Sequence, residues 1–216
     1  MAQQKYTMQI QLLSETLIGS AEGYGAIIDK DSVFDEVGLP IIPGKRIKGI
    51  LREQAELLEK IRKLNSVNVL YGKPNSVQTL FGNIGLTDKA TEYLSVSSFT
   101  LSDYKANKDY LKYLIQEGQI SRSEVIEYFT TLRMITKIDG DGIAADTSLR
   151  TIRVLNKGLI FTGELSFDPL QETDFKNIVS LTRRIGSMRN RGLGHIQCKL
   201  IAHPVSEVEP EKSLAV

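Results

Sequence analysis

Cysteine is nearly absent from this sequence. One stands in the 216-residue chain, Cys198, so no intramolecular disulfide and no cysteine zinc site can form. It falls on the apolar phase of its strand and is expected as a buried free thiol. Tryptophan is lacking altogether, which decides nothing. No run is long and apolar enough to span a membrane, and the N-terminus lacks a signal-peptide core. A reducing, cytoplasmic setting is therefore expected. Excess charge is missing too. A net charge of +1 excludes a uniformly basic nucleic-acid coat, so any electrostatic footprint must be local. Neither GxxxxGK[ST] nor a GxGxxG opening a helix after the first strand is present, and GxSxG, HExxH and paired CxxC are absent as well. These gaps argue against the familiar nucleotide-binding loops, hydrolase triads and zinc chemistry. No fixed-period repeat or low-complexity linker divides the chain, and 41% hydrophobic content supplies one real core.

What is present begins with Tyr6, Met8, Ile10 and Leu12, alternating with Thr7, Gln9 and Gln11 as a strand with one buried face. A loop from Ile18 to Gly44 carries Asp29, Asp31, Asp35 and Glu36. Pro43 and Gly44 end it, and Ile47, Ile50, Leu51, Ala55, Leu58 and Ile61 mark the stripe of a helix. Tyr93 to Leu101 reads as a strand and Asn107 to Ile115 as a helix. Ser121-Arg122-Ser123-Glu124 has capping-box form, with Val125, Ile126, Phe129 and Leu132 continuing that helix. Ile135 to Arg153, with Asp139-Gly140-Asp141-Gly142, reads as a projecting hairpin or arm. Leu159, Phe161, Leu165 and Phe167 form a further strand, which Asp168-Pro169 ends. A helix from about Asp174 to Gly186 and a strand from His195 to Ala202 complete the order. This is an α+β, ferredoxin-like (RRM-like) βαββαβ plan. It reads as a single domain over residues 1–203, with a helical insertion at about 103–134 and a thumb-like segment at about 136–153. The tail, 204–216, is expected to be disordered.

Two basic clusters stand out. Lys45, Arg46, Lys48 and Arg52 lie at the start of the first long helix, where cations oppose the helix dipole. Each exposed adverse charge there costs about 0.3–1 kcal/mol, which makes sense if an anion binds. The second cluster is Arg183 to Gly194, with four arginines, three glycines and no acid in twelve residues. Glycine lets backbone approach closely, and arginine presents a planar fork to phosphate oxygens. Two such loops at one edge would grip a ribose-phosphate strand. The competing reading is a pair of solvated basic loops. The acidic loop has two readings as well: turn-forming aspartates, or a carboxylate acting on a 2′-hydroxyl with or without Mg²⁺. His195 and His203 form a weaker acid–base pair around the last strand.

Four stretches resemble RAMP-superfamily CRISPR-associated proteins. Leu39-Pro40-Ile41-Ile42-Pro43-Gly44-Lys45-Arg46-Ile47-Lys48-Gly49-Ile50-Leu51-Arg52 is similar to their PxIPGSSLKGxLR stretch, and Leu80-Phe81-Gly82 to their LFG element. Ser148 to Phe161 resembles SLRxxExVPxGxxF, and Ile185-Gly186 through Arg191-Gly192-Leu193-Gly194 resembles GGxxSRGxG. The loop from Gly25 to Asp35 looks most like the backbone subunit of type III effector complexes. The resemblance implies binding of CRISPR RNA through Lys45, Arg46, Lys48, Arg52, Arg150, Arg153, Arg189, Arg191, Gly192 and Gly194. It also implies cleavage of paired target RNA by an aspartate of the acidic loop, Asp29 or Asp31, with Asp29 holding a divalent metal such as Mg²⁺. Further partners implied are other RAMP subunits, stacked along the guide, and the large effector subunit. A thumb-like hairpin would kink the duplex. Lys45-Arg46 in place of the usual small pair, and Ser187-Met188-Arg189-Asn190 breaking the glycine-rich consensus, point to a III-D-like branch. They leave both a catalytic backbone subunit and a non-catalytic cap subunit open.

Overall fold

A computed structural model describes residues 3–20, 28–64, 76–82, 93–136, 141 and 148–202. In chain order the elements are β1 (Gln4–Leu12), α1 (Gly44–Leu64), α2 (Ser76–Phe81), β2 (Ser95–Val96), β3 (Thr100–Leu101), α3 (Tyr104–Gln116) and α4 (Arg122–Phe129). There follow β4 (Thr130–Ile135), β5 (Arg150–Leu155), β6 (Ile160–Phe167), α5 (Glu172–Leu181) and β7 (Ile196–Ala202). The main sheet runs β2-β6-β1-β7, with β3 also on β6, and every pairing in it is antiparallel. That is the ferredoxin-like order: the first and third core strands are central, and one crossover helix follows each. The expected fold class is the observed one.

Period-two burial builds this sheet. Tyr6, Met8, Ile10 and Leu12 of β1 and Phe161, Leu165 and Phe167 of β6 are all buried. They meet Ile47, Leu51 and Ala55 of α1 and Phe175 and Ile178 of α5. Tyr6 stacks on Phe167 at 4.3 Å between ring centroids, and Phe167 meets Phe175 at 4.4 Å. Cys198 is half-buried and free, and burial pushes its thiol up to about 12. No helix among the described residues is long and apolar enough to cross a membrane.

Three expected elements differ. The strand from Tyr93 to Leu101 is broken into β2 and β3, because Phe99 leaves β6 to exchange two backbone bonds with Ile42 (3.0 and 2.9 Å). Its ring fills the space over Gly163, where a Cβ would lie 2.4 Å away. The helix carrying the capping box does form, with Glu124 N–H donating to Ser121 Oγ at 3.2 Å. It stops at Phe129, however, and Leu132 is on strand β4. Thr130 and Thr131 are β-branched, and β5 offers a full ladder from Thr130↔Leu155 to Ile135↔Arg150. Last, α5 ends at Leu181. Residues 183–185 are extended, and Ile185 and Ile196 donate to Gly194 and Arg183 carbonyls at 2.8 and 3.0 Å. The glycine-rich stretch is thus a closed turn between two antiparallel arms. The arm joining β4 to β5 covers most of the thumb-like segment; its residues 137–140 and 142–147, like His203 and the tail, lie outside the described residues.

One buried ion pair ties the two crossover helices together. Arg62 Nη2 donates to Asp174 Oδ1 at 2.8 Å, with the side chains 12% and 6% exposed. Arg62 Nε and Nη1 are buried with no hydrogen-bond partner among the described residues. Removing one member leaves a desolvated charge. Asp174→Ala is therefore expected to lower unfolding free energy by about 3 kcal/mol in urea titrations. The joint change Asp174→Leu with Arg62→Met should be close to neutral.

Candidate nucleic-acid interface

The segment between β1 and the acidic loop, Ser14–Ser20, is where the candidate elements meet. Thr16 exchanges backbone bonds with Leu155 of β5 at 3.0 and 2.8 Å. Leu17 C=O accepts from Ser187 N–H at 2.9 Å and Glu15 C=O from Gly194 N–H at 2.9 Å. Ser20 N–H donates to Asp31 C=O at 2.7 Å. Arg46 of α1 donates through Nη2 to Gly19 C=O. The hairpin, the glycine-rich turn, the acidic loop and the start of α1 are thereby fastened to one short extended strip.

Two glycines of the turn have different reasons to be glycine. At Gly194 φ is +75°, and a Cβ would sit 1.9 Å from Ile185 O, so backbone packs directly on backbone. At Gly192 φ is +79° with open space around it. Gly186 resembles Gly194, lying against Leu17 O. Arg183, Arg184 and Arg191 of the turn are exposed, and Arg189 is partly so. Arg191 faces solvent, and Arg189 Nη1 reaches Glu53 of α1 at 3.1 Å with both side chains open to water. Arg184 holds the turn by donating to Arg189 C=O at 2.6 Å.

On α1 the four expected cations divide. Lys45 and Arg46 are exposed, and Arg46 is on the same side as Glu53, toward the glycine-rich turn. Lys48 and Arg52 are one turn apart on another side and serve backbone carbonyls. Lys48 Nζ donates to Leu94 C=O at 2.7 Å, and Arg52 Nη2 donates to Gly82 C=O at 3.1 Å. Desolvation, with Arg52 close by, pulls the Lys48 pKa below the ordinary lysine value. Lys48 thus anchors the chain before β2, and Arg52 anchors the Leu80-Phe81-Gly82 element, whatever else they touch.

The four acids also separate. Asp35 is a turn residue: Oδ1 accepts from Val37 and Leu39 N–H at 3.0 and 2.8 Å, and Oδ2 from Tyr104 Oη at 2.9 Å. Glu36 pairs with Lys108 at 2.8 Å, which holds its carboxyl below the usual range. Asp31 is 2% exposed; Oδ1 accepts from Ser32 N–H at 2.7 Å and Oδ2 from Arg153 Nη1 at 2.9 Å. Asp29 is exposed, with Oδ2 accepting from Thr151 N–H at 2.8 Å. It has no cation partner among the described residues. Asp29 and Asp31 flank Lys30, which bridges in parallel to Ile152, so their segment lies along β5. Strand alternation sets both aspartates on the hairpin face that carries Leu132, Met134 and Leu149, all well exposed.

Some contributors had no signal in the sequence. Glu15 holds Arg133 of β4 at 2.5 Å, and Glu53 holds Arg189; nothing in either residue's local pattern marks it. Arg150 is exposed at the start of β5, whereas the Arg153 side chain is only 15% exposed. The sheet face away from the helices carries Thr7, Gln9, Gln11, Thr162, Glu164, Gln197 and Lys199. It has no aromatic ring among the described residues, so it offers no RRM-style stacking platform. Among the described residues no group of three or more His, Cys, Asp or Glu is placed to hold a metal.

Fold and site together define an antiparallel ferredoxin-like protein whose glycine-rich turn is seated beside a hairpin arm. A sequence model of the RAMP superfamily matches residues 9–197, and the chain belongs to that superfamily. Its fold is similar to a chain of the Type III-B Cmr-beta complex bound to cognate target RNA, solved by cryo-EM. The TM-score is 0.64 at 14% identity, covering 91% of this chain and 96% of the other. A chain of the same complex in the apo state matches with TM-score 0.59 and 12% identity over the same shares. No curated protein sequence matches the chain.

The contrast between the two glycines is measurable. Gly192→Ala should cost about 1 kcal/mol, the strain of a left-handed residue in open space. Gly194→Ala should cost at least about 3 kcal/mol, because strain and a backbone clash add. Denaturant unfolding of both variants checks the difference.

Proposed function

We propose that this chain is a CRISPR RNA-binding backbone subunit of a type III effector complex, and that Asp29 cleaves guide-paired target RNA. Superfamily membership and the likeness to a chain of a target-bound Type III-B complex support the first part. One observation carries the second: among the described residues, Asp29 is the one acid of the four in the loop that is exposed without a cation partner. It lies on the hairpin face bearing Leu132, Met134 and Leu149. Exposed apolar side chains on a two-stranded hairpin suit a wedge that unstacks a base step. A splayed nucleotide can bring its 2′-hydroxyl in line with the neighbouring phosphorus. The Asp29 carboxylate takes the hydroxyl proton, the 2′-oxygen forms its bond to phosphorus, and the bond to the 5′-oxygen breaks. The products are a 2′,3′-cyclic phosphate and, once the 5′-oxygen is protonated, a 5′-hydroxyl.

A single exposed carboxylate also fits Mg²⁺, which keeps most of its waters and uses one or two carboxylates plus substrate phosphates. Asp29 would be the protein ligand, and the ion would supply neutralisation of charge gathering on the phosphate. The guide's phosphates would lie along Lys45, Arg46, Arg150, Arg189 and Arg191, with Gly192 leaving room for close backbone approach. Other RAMP subunits and the large effector subunit complete the assembly.

In assembled complex, Asp29→Ala should slow target cleavage at least ~100-fold and leave guide and target affinity within about twofold. Undiminished cleavage would leave the chain a non-catalytic cap or scaffold. Binding measured against salt tests the interface separately. Arg191→Ala should reduce the slope of log K against log[salt] by about 0.7. Lys48→Met should instead lower stability, since Leu94 C=O loses its donor.

A further inference from the structure

We infer that the Asp31–Arg153 ion pair is a positioning device for Asp29, and that neither residue contacts RNA. This rests on the reading of Asp29 as the cleaving group. Residues 28–32 are distant in sequence from the hairpin, and little backbone holds them to it. The link is Asp29 N–H to Thr151 C=O (2.9 Å), Thr151 N–H to Asp29 Oδ2 (2.8 Å) and Arg153 N–H to Lys30 C=O (2.9 Å). It forms one isolated bridge, Lys30↔Ile152, rather than a continuous ladder.

Such a short pairing specifies its register poorly, and a slip of one residue reverses which side chains face each way. Here the slip would put the Lys30 side chain where Asp29 now stands, reversing the charge offered to the phosphate. Ser20 N–H on Asp31 C=O and the Gly19↔Ser32 bridge hold the segment from the other side, and what sets its side chains against β5 is two residues further on. Asp31, 2% exposed, meets the Arg153 guanidinium at 2.9 Å. Ser32 Oγ closes the far side by donating to Arg153 C=O at 3.1 Å. A slipped segment would bury Asp31 without its cation. Buried pairs add little net stability because desolvation offsets attraction; fixing a register is their best-attested use. With both oxygens engaged and the residue enclosed, Asp31 cannot reach a 2′-hydroxyl.

The test uses assembled complex for chemistry and the full chain for structure. Asp31→Asn keeps the acceptor for Ser32 N–H and removes the charge. Single-turnover cleavage at saturating target should fall about 10- to 100-fold, as misplacement of a catalytic group does, with target Kd unchanged within about twofold. Amide exchange at Thr151, the donor to Asp29, should quicken in the same variant. Arg153→Lys keeps the charge without the fork and should recover part of the rate. The double variant Asp31→Asn with Arg153→Lys should be no slower than Asp31→Asn alone, because the two act as a unit. Wild-type cleavage in Asp31→Asn would overturn the inference. So would slowed cleavage with Thr151 as protected as before, since Asp31 would then act in the chemistry itself, and so would multiplying losses in the double variant. Asp29→Ala run alongside separates the two ideas. If that variant still cuts, the catalytic reading falls, and Thr151 exchange alone decides whether the pair sets the register.

Discussion

The structure depends on the hydrogen-bonding capacity of one extended strip, Ser14–Ser20. Every buried backbone donor and acceptor needs a partner, and this strip satisfies groups from four directions at once. Leu155 of β5, Ser187 and Gly194 of the turn, Asp31 of the acidic loop and Arg46 of α1 all bond to it. These elements are far apart in sequence and share no common strand. Their relative placement follows from where the strip's N–H and C=O groups point. A helix could not do this, because it spends its backbone groups internally. The strip can be extended because it leaves β1 at the sheet's end, with Leu17 and Ile18 both fully buried and pinned from opposite sides.

Period explains which parts of the fold the sequence disclosed. The alternation of Tyr6 to Leu12 and Leu159 to Phe167, the stripe of α1, and the Ser121–Glu124 cap each state a local preference that tertiary packing respects. The misread boundaries are places where a distant partner overrides local preference. Phe99 abandons β6 for Ile42, Leu132 joins β5 rather than prolonging α4, and Arg183 to Ile185 pair with Gly194 to Ile196. The partners of Phe99 and Leu132 are far outside a window of ten residues, and Arg183 to Ile185 find theirs only across the whole glycine-rich turn. The site divides in the same way. That the loops carry charge suited to a polyanion or a cation was legible as composition. Which aspartate lacks a cation among the described residues was not, because it depends on Arg153, over a hundred residues downstream of Asp31.

Charge type alone therefore overstates the interface, and burial corrects it. Arg189 with Glu53, both open to water, is a pair of the kind worth about 0–1 kcal/mol. A phosphate oxygen can replace Glu53 at little cost and gains from counterion release. Arg153 with Asp31 is enclosed, and exchanging that carboxylate for a phosphate would strand a buried anion. Lys48 and Arg52 are intermediate, since a ligand that drew them away would leave the Leu94 and Gly82 carbonyls without those donors. The ordering that results, with Lys45, Arg150, Arg189 and Arg191 available, Arg46, Lys48 and Arg52 tied to carbonyls and Arg153 committed, comes from desolvation and hydrogen-bond accounting. It also explains how a chain with a net charge of only +1 can present a cationic edge. Near that edge Asp31 and Asp35 are spent on interior partners and Glu53 is held in an exposed pair that a polyanion can open, while Lys45 and Arg191 stay solvated.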